Sequence, residues 1–139
     1  MARKRVLIVE DEIDTRTAIR EILERAGYEP AEAADGAEGL AKAESFHPHV
    51  ILLDVRMPGL DGYEVCRGLK ANPKTRIAPV IFLTAVQDDA LNRLAYEAGG
   101  VACITKPFRA EALIAVIAAA VASGERRASP KAKSKRKEE

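Results

Sequence analysis

Short apolar runs alternate with segments of helical periodicity along most of this chain. A weak run covers residues 28–33, and four strongly apolar runs cover residues 6–9, 50–53, 80–83 and 101–105. Short continuous apolar runs are consistent with buried strands, and the helical segments between them are long enough to connect parallel strands. The order strand–helix, repeated five times, therefore predicts an α/β fold with a parallel sheet and helices on both of its faces.

Capping residues, glycines and prolines mark the helix boundaries. At Asp35 and Asp61 an aspartate is followed three residues later by a glutamate, which is the pattern of a capping box. Gly27 and Gly99 are typical of positions just after a helix. The predicted helices run from residue 14 to 26, from Asp35 to before His47, from Asp61 to before Asn72, from Asp88 to Gly99, and from residue 109 to about 123.

The composition changes after residue 123. Residues 1–123 contain 15 Lys and Arg against 18 Asp and Glu, whereas residues 124–139 contain seven against three and no apolar residue other than alanine. Such a basic segment cannot bury enough apolar surface to fold. We therefore predict a domain at residues 1–123 and a basic, disordered tail at residues 124–139, which we expect to be a solubilising extension rather than a nucleic-acid-binding segment.

The remaining composition is that of an ordinary soluble domain, with 47% apolar and 31% charged residues. The first apolar run is too short for a signal peptide, and the longest one, residues 112–122, is too short to cross a bilayer. Two cysteines, Cys66 and Cys103, do not form a disulfide framework. We therefore expect buried thiols, no membrane contact and a cytoplasmic location.

Reactive side chains directly follow the four strong runs. Glu10 and Asp11 follow the first, Asp54 the second, Thr84 the third and Lys106 the fourth. The carboxyl ends of parallel strands lie side by side, where open α/β sheets bind ligands. Converging carboxylates repel one another unless a cation intervenes, and an all-oxygen cluster suits Mg²⁺. A cation, an ammonium and a hydroxyl stabilise a transferring phosphoryl group, which an adjacent aspartate can accept as an acyl phosphate.

These motifs resemble those of the receiver domain of bacterial two-component response regulators. The matching segments are VLIVEDE from Val6, VILLDVRMPGLDG from Val50, IFLTA from Ile81 and ITKPF from Ile104, and the resemblance covers residues 4 to about 122. Four motifs in this order and spacing form a specific signature. The resemblance implies a doubly wound, flavodoxin-like (βα)5 fold with a five-stranded parallel sheet in the order 2-1-3-4-5.

The resemblance also implies a phosphorylation site. It makes Asp54 the phosphoacceptor, which receives its phosphoryl group from a phosphohistidine of a sensor histidine kinase or a histidine phosphotransfer protein. Thr84 would bond one phosphoryl oxygen and turn toward it on activation, while Lys106 would pair with another. The family's Lys–Pro peptide is usually cis, so we expect a cis bond between Lys106 and Pro107.

A metal site is implied in the same way. Asp11 and Asp54 would bind Mg²⁺ directly, together with the backbone carbonyl of Arg56, and Glu10 would act through a metal-bound water. Glu10 stands where the family often has aspartate, and the extra methylene still allows coordination through water. No separate substrate turnover is expected, so the chain is not predicted to be an enzyme in the ordinary sense.

Three positions affect the conformational switch and the lifetime of the phosphoryl group on Asp54. Cys103 stands where receivers usually carry a Tyr or Phe that swings inward, and because a thiol is too small for that movement, we expect Cys103 to pack as a small apolar residue. The Arg56 side chain could cover the phosphoryl group or lie in solvent. Val86 offers no group to position an attacking water, which favours slow self-hydrolysis.

Output is expected through a downstream protein or onward phosphotransfer, because the tail is too short for an output domain, unless the chain is a fragment of a longer protein. The segment 112–122 is apolar on every helical face. It is either a plain alanine-rich helix or part of a contact with a partner protein or a homodimer through helix 4, strand 5 and helix 5, a surface that receivers commonly use.

Other interpretations compete with this one. A haloacid-dehalogenase-like phosphatase also uses an aspartate nucleophile, but it needs a second acid where this chain has Arg56. A flavin site would place a phosphate beside Glu10 and Asp11, which would repel it. A receiver-like scaffold that is never phosphorylated, or a plain salt-bridge cluster, would not need the whole ordered set. His47 and His49 lack further metal ligands and are expected in a surface loop.

Overall fold

The computed structural model describes residues 3–85 and 89–128, and for residues 89–92 and 125–128 it describes the backbone only. Five parallel strands form one sheet in the order β2-β1-β3-β4-β5, which confirms the predicted doubly wound α/β fold. The strands are β1 (Arg5–Val9), β2 (Glu29–Ala33), β3 (Val50–Asp54), β4 (Val80–Thr84) and β5 (Ala102–Thr105). The helices are α1 (Ile13–Arg25), α2 (Gly36–Phe46), α3 (Gly62–Ala71), α4 (Asp89–Glu97) and α5 (Ala110–Ala128).

The sheet separates two apolar clusters. Successive side chains of a strand point to opposite faces, so Leu7 and Val9 of β1 join a cluster on the side of α2, α3 and α4. Val6 and Ile8 join a second cluster on the side of α1 and α5. Because helices cover both faces, β3 and β4 are buried at every residue, which explains why these strands are continuous apolar runs.

The last helix is longer than predicted. We expected it to end near residue 123, but α5 continues to Ala128, so residues 124–128 are helical and do not belong to a disordered tail. Alanine, glutamate and arginine are strong helix formers, and one glycine, Gly124, costs only about 1 kcal/mol within such a run. Residues 129–139 lie outside the described part of the chain, as does Asp88, which was predicted to open the fourth helix.

The two predicted capping boxes differ in detail. At α3 the box is complete, because the Glu64 backbone N–H donates to Asp61 Oδ1 (2.9 Å) and the Asp61 N–H donates to Glu64 Oε1 (3.1 Å). At α2, Asp35 Oδ1 accepts from the Glu38 N–H (2.8 Å), but Glu38 Oε1 accepts from the N–H of Ala34 (2.6 Å). The second half of this box is therefore shifted by one residue.

Helix α5 has one buried and one exposed face. Leu113, Ile117 and Ala120 are buried against the sheet, whereas the exposed side carries small residues, namely Ala112, Ala115, Ala118 and Ala119. The apolar segment at 112–122 is thus a helix whose outer face is mainly alanine. Among the described residues, no helix is both long and apolar enough to span a membrane.

Candidate functional site at the carboxyl edge of the sheet

The strand register brings the predicted site residues to one edge of the sheet. Asp54 is the last residue of β3 and lies opposite Leu83, so its neighbour along β4 is Thr84. Thr84 in turn lies opposite Thr105, the residue before Lys106, and the Lys106 N–H donates to the Thr84 carbonyl (2.7 Å). The end of β1 is adjacent to β3 and leads into Glu10. The predicted convergence of the strand ends is therefore present.

Three carboxylates meet at this edge. One oxygen from each of Glu10, Asp11 and Asp54 lies within 4.8 Å of the other two, and this is the one such group of metal-ligating side chains among the described residues. Glu10 is 1% exposed and Asp54 6%, so both charges are largely removed from water. Although Asp11 is at the surface, its pKa is raised by desolvation and by the hydrogen bond and charge of Glu10. An all-oxygen set that is short of positive charge fits a hard divalent cation such as Mg²⁺.

Lys106 supplies the positive charge of the cluster. Its Nζ lies 2.6 Å from Glu10 Oε1 and 3.4 Å from Asp54 Oδ2. Burial by itself lowers the pKa of this amine, but the hydrogen bond to Glu10 and the charge of Asp54 outweigh it, so the pKa is raised above its ordinary value. Lys106 is therefore a fixed cation that faces both buried acids. The peptide bond between Lys106 and Pro107 is cis, as expected.

The Glu10 backbone and side chain are both fixed. Its N–H donates to the Ala33 carbonyl of β2 (3.0 Å) and its carbonyl accepts from Nη1 of Arg16 (2.8 Å). Its Oε2 accepts from the N–H of Glu12 (3.1 Å). Arg16 was not among the residues predicted for the site. A basic residue in the first turn of a helix opposes the helix dipole, and that is the signal that could have drawn attention to it.

The loop after Asp54 is held close to the site. The N–H of Arg56 donates to Asp54 Oδ1 (3.3 Å), which places the Arg56 backbone beside the phosphoacceptor candidate. The Arg56 side chain is exposed, so in this structure it lies in solvent. At Gly62, the first residue of α3, an added Cβ would collide with the Asp54 carbonyl and the Val55 Cα. Only glycine allows α3 to start this close to the strand end.

Thr84 is nearly buried, at 3% exposed, on the strand next to Asp54. Cys103 is partly buried and packs against the cluster on the α2, α3 and α4 face, where burial raises the pKa of its thiol. Burial also raises the pKa of the Cys66 thiol, to about 11. Neither thiol is activated as a nucleophile, in keeping with the expected packing roles. Val86 lies outside the described residues.

The two histidines lie away from this edge. His47 ends α2 with a left-handed backbone (φ 53°), and its carbonyl accepts from Arg5 Nε (2.9 Å). His49 Nδ1 accepts from the Arg5 backbone N–H (2.9 Å). These contacts fasten the loop between α2 and β3, as expected for loop residues.

Known proteins share this fold and these motifs. The response regulator receiver domain family matches residues 6–118. The probable transcriptional regulator ycf27 of Cyanophora paradoxa is 41% identical over 115 residues, which are 83% of this chain and 47% of that protein. The chain spans about half the length of the first curated relatives that it matches.

Two solved structures extend the comparison. The chemotaxis protein CheY4 of Vibrio cholerae has a TM-score of 0.83 and 32% identity, over 86% of this chain and 99% of that chain. The receiver domain of the sensor histidine kinase PA1611 of Pseudomonas aeruginosa has a TM-score of 0.81 and 31% identity, over 87% and 99%, and holds a magnesium ion in its active-site cleft. With the family match, the sequence identities and the shared sheet, this chain belongs to the response regulator receiver family of two-component signalling proteins.

Proposed function

We propose that this chain accepts a phosphoryl group on Asp54 from a phosphohistidine of a sensor histidine kinase or a histidine phosphotransfer protein. The observation that carries the proposal is the setting of Asp54. Its carboxylate is 6% exposed, lies 3.4 Å from Lys106 Nζ and shares a cluster within 4.8 Å with Glu10 and Asp11. A plain salt bridge needs one acid for one base, whereas this cluster has three acids for one lysine.

The proposed reaction is a transfer between two side chains. A carboxylate oxygen of Asp54 attacks the phosphorus, the phosphorus–nitrogen bond to the donor histidine breaks, and an acyl phosphate forms on Asp54. Mg²⁺, bound by Asp11 and Asp54 with the Arg56 carbonyl and with Glu10 through water, would neutralise the charge of the phosphoryl oxygens. Lys106 pairs with one phosphoryl oxygen, and the Thr84 hydroxyl donates to another.

Activation in this proposal redirects Lys106. In the unphosphorylated chain its ammonium is shared between Glu10 and Asp54. A phosphoryl group on Asp54 adds negative charge at the Asp54 side of this pair, so the ammonium turns from Glu10 toward it. Because the Lys106 N–H also donates to the Thr84 carbonyl, movement of either residue is passed to the end of β5. The small thiol at Cys103 leaves no aromatic side chain there to swing.

The proposed output is onward phosphotransfer or contact with a downstream protein. A downstream protein or a second copy of the chain would bind through the face formed by α4, β5 and α5. Leu94 and Tyr96 of α4 and Val101, which precedes β5, are 45%, 60% and 39% exposed on this side. Large apolar side chains left in water are typical of surfaces that bind other proteins. A cytoplasmic location is part of this proposal.

The proposal is tested by intact mass after incubation with acetyl phosphate. The parent chain should gain one phosphoryl group with Mg²⁺ and none with a chelator, and Asp54→Asn should abolish the adduct. The matched control is Asp61→Asn, which makes the same chemical change at a nearby, partly exposed acid whose capping role asparagine can keep. Labelling of Asp54→Asn would show that another residue is the acceptor, and no labelling of the parent by acetyl phosphate or a kinase would favour a phosphorylation-independent scaffold.

A further inference from the structure

We propose that Arg16 is a positioning residue of the Mg²⁺ site, because its guanidinium fixes the peptide group that joins Glu10 to Asp11. The inference rests on the proposed function, since it concerns the ion that this function requires. It assigns a role to a residue that lies on α1 and has no contact with a carboxylate of the site.

The first step is the geometry of the guanidinium. Arg16 Nη1 donates to the Glu10 backbone carbonyl (2.8 Å), and its Nε donates to Glu32 Oε1 of β2 (3.0 Å). The Arg16 side chain is 14% exposed. A planar guanidinium with two donors on two different acceptors has little freedom to rotate. The Glu10 carbonyl is therefore held in one direction.

The second step is what that carbonyl controls. A peptide unit is planar, so the Glu10 carbonyl and the Asp11 N–H lie in one plane. The Cα atoms of Glu10 and Asp11 are the two ends of that plane, and both carboxylates extend from them. A change in ψ of Glu10 or in φ of Asp11 would turn this plane relative to one of the two residues and would redirect Asp11 relative to Glu10. Fixing the Glu10 carbonyl oxygen therefore limits how far the Asp11 carboxylate can turn away from that of Glu10.

The third step is the need for such a fixed point. The three carboxylate oxygens lie within 4.8 Å of one another, where mutual repulsion drives them apart in the absence of the cation. The Glu10 carboxylate is held by Lys106 (2.6 Å), but Asp11 is exposed and follows Glu10 directly. A backbone anchor at Glu10 keeps Asp11 in place before the ion arrives, so less ordering is needed on binding.

Arg20 provides a matched control. It lies one helical turn after Arg16, and its Nη1 donates to the other oxygen of the same acceptor, Glu32 Oε2 (3.3 Å). The structure records no contact between Arg20 and Glu10. Arg16→Met and Arg20→Met thus remove the same charge from the same helix and the same partner, but only the first removes the bond to the Glu10 carbonyl.

The experiment measures Mg²⁺ binding to the unphosphorylated chain, residues 1–139, by amide chemical shifts, together with urea unfolding in the absence of Mg²⁺. We expect Arg16→Met to raise the Mg²⁺ dissociation constant about tenfold, which corresponds to about 1.4 kcal/mol. Arg20→Met should change it less than about twofold, as expected for a more exposed ion pair. Arg16→Lys should give an intermediate value, since one ammonium cannot reproduce the two-donor fork.

A second readout reports on the peptide itself. In Mg²⁺-free samples the Asp11 amide resonance should shift or broaden in Arg16→Met and stay unchanged in Arg20→Met, because the Asp11 N–H shares the plane of the Glu10 carbonyl. The inference would be overturned if the parent, Arg16→Met and Arg20→Met had equal Mg²⁺ dissociation constants and the two variants lost equal amounts of unfolding free energy. Arg16 would then only connect α1 to β2. If Arg16→Met does not fold, Arg16→Lys decides: a dissociation constant equal to the parent's overturns the inference. A parent chain that binds no Mg²⁺ would refute the proposed function itself.

Discussion

Replacement of Asp54 by asparagine should make the Mg²⁺-free chain more stable, although it removes a partner of Lys106. The asparagine would be nearly isosteric and would keep an oxygen that can accept from the Arg56 N–H, a contact that Asp54 makes at 3.3 Å. The change therefore isolates one negative charge. Whether that charge stabilises or destabilises the fold distinguishes a structural salt bridge from a site built for a cation.

The magnitude follows from the distances. With an effective dielectric constant of about 20, Lys106 at 3.4 Å attracts the Asp54 charge by about 5 kcal/mol, and Glu10 at 4.8 Å or less repels it by at least about 3.5 kcal/mol. The exposed Asp11, screened by water, adds about 1 kcal/mol of repulsion. These contributions nearly cancel. The cost of keeping a carboxylate that is 6% exposed away from water then decides the sign.

We therefore expect Asp54→Asn to raise the unfolding free energy by about 1–2 kcal/mol, and the melting temperature by about 5 °C. The assay is urea unfolding at neutral pH with a chelator. It is repeated with saturating Mg²⁺, which stabilises the parent by RT ln(1 + [Mg²⁺]/Kd) and should narrow the difference between the two unfolding free energies. Asp61→Asn, the same change at a partly exposed acid, should stay within about 0.5 kcal/mol of the parent. A loss of about 2 kcal/mol or more in Asp54→Asn would refute this reasoning and mark Asp54 as the counterion of a structural ion pair.

Two further predictions concern neighbours of Asp54. Gly62→Ala should destabilise the chain by more than about 2 kcal/mol in urea unfolding, because its Cβ would collide with the Asp54 carbonyl and the Val55 Cα. Gly124→Ala on α5 is the control and should be neutral or stabilising, because its Cβ would make only an ordinary van der Waals contact with Pro79. Lys106→Met should lower stability at neutral pH by leaving Glu10 without its cation. The pKa of Lys106 in the folded chain lies above 10.5, so the parent should exceed Lys106→Met in unfolding free energy by the full amount below pH 10.5. This difference in unfolding free energy should shrink as the pH rises through the folded pKa. A difference that does not change across that range would show that Lys106 acts by packing alone.

The sequence predicted the sheet and the site for identifiable reasons. Runs such as Val50 to Leu53 are apolar at every position because both faces of β3 are covered. The reactive residues could be grouped because parallel strands end at one edge, and the family motifs supplied the strand order. The residues at the carboxyl end of each strand could therefore be assigned to one site from the local pattern together with the strand order that the family motifs implied.

Other features depend on contacts that a linear pattern does not display. The bond from Arg16 to the Glu10 carbonyl joins a side chain to a backbone atom, so neither residue type reveals it. The end of α5 was placed near residue 123 because the following segment is basic and begins with Gly124. Local helix propensity continues the helix to Ala128 despite that composition. At α2, Glu38 reaches past Asp35 to Ala34, a detail of one side-chain conformation.

The separation of the interior into two clusters affects how the chain can diverge. The sheet backbone stands between the side chains that face α1 and α5 and those that face α2, α3 and α4. Substitutions at Leu113 and Ile117 should therefore combine additively with substitutions at Val65 and Leu69, because they share no packing partners across the sheet. During evolution, the residues on one face of the sheet can therefore change to fit a new partner while the cluster on the opposite face stays the same.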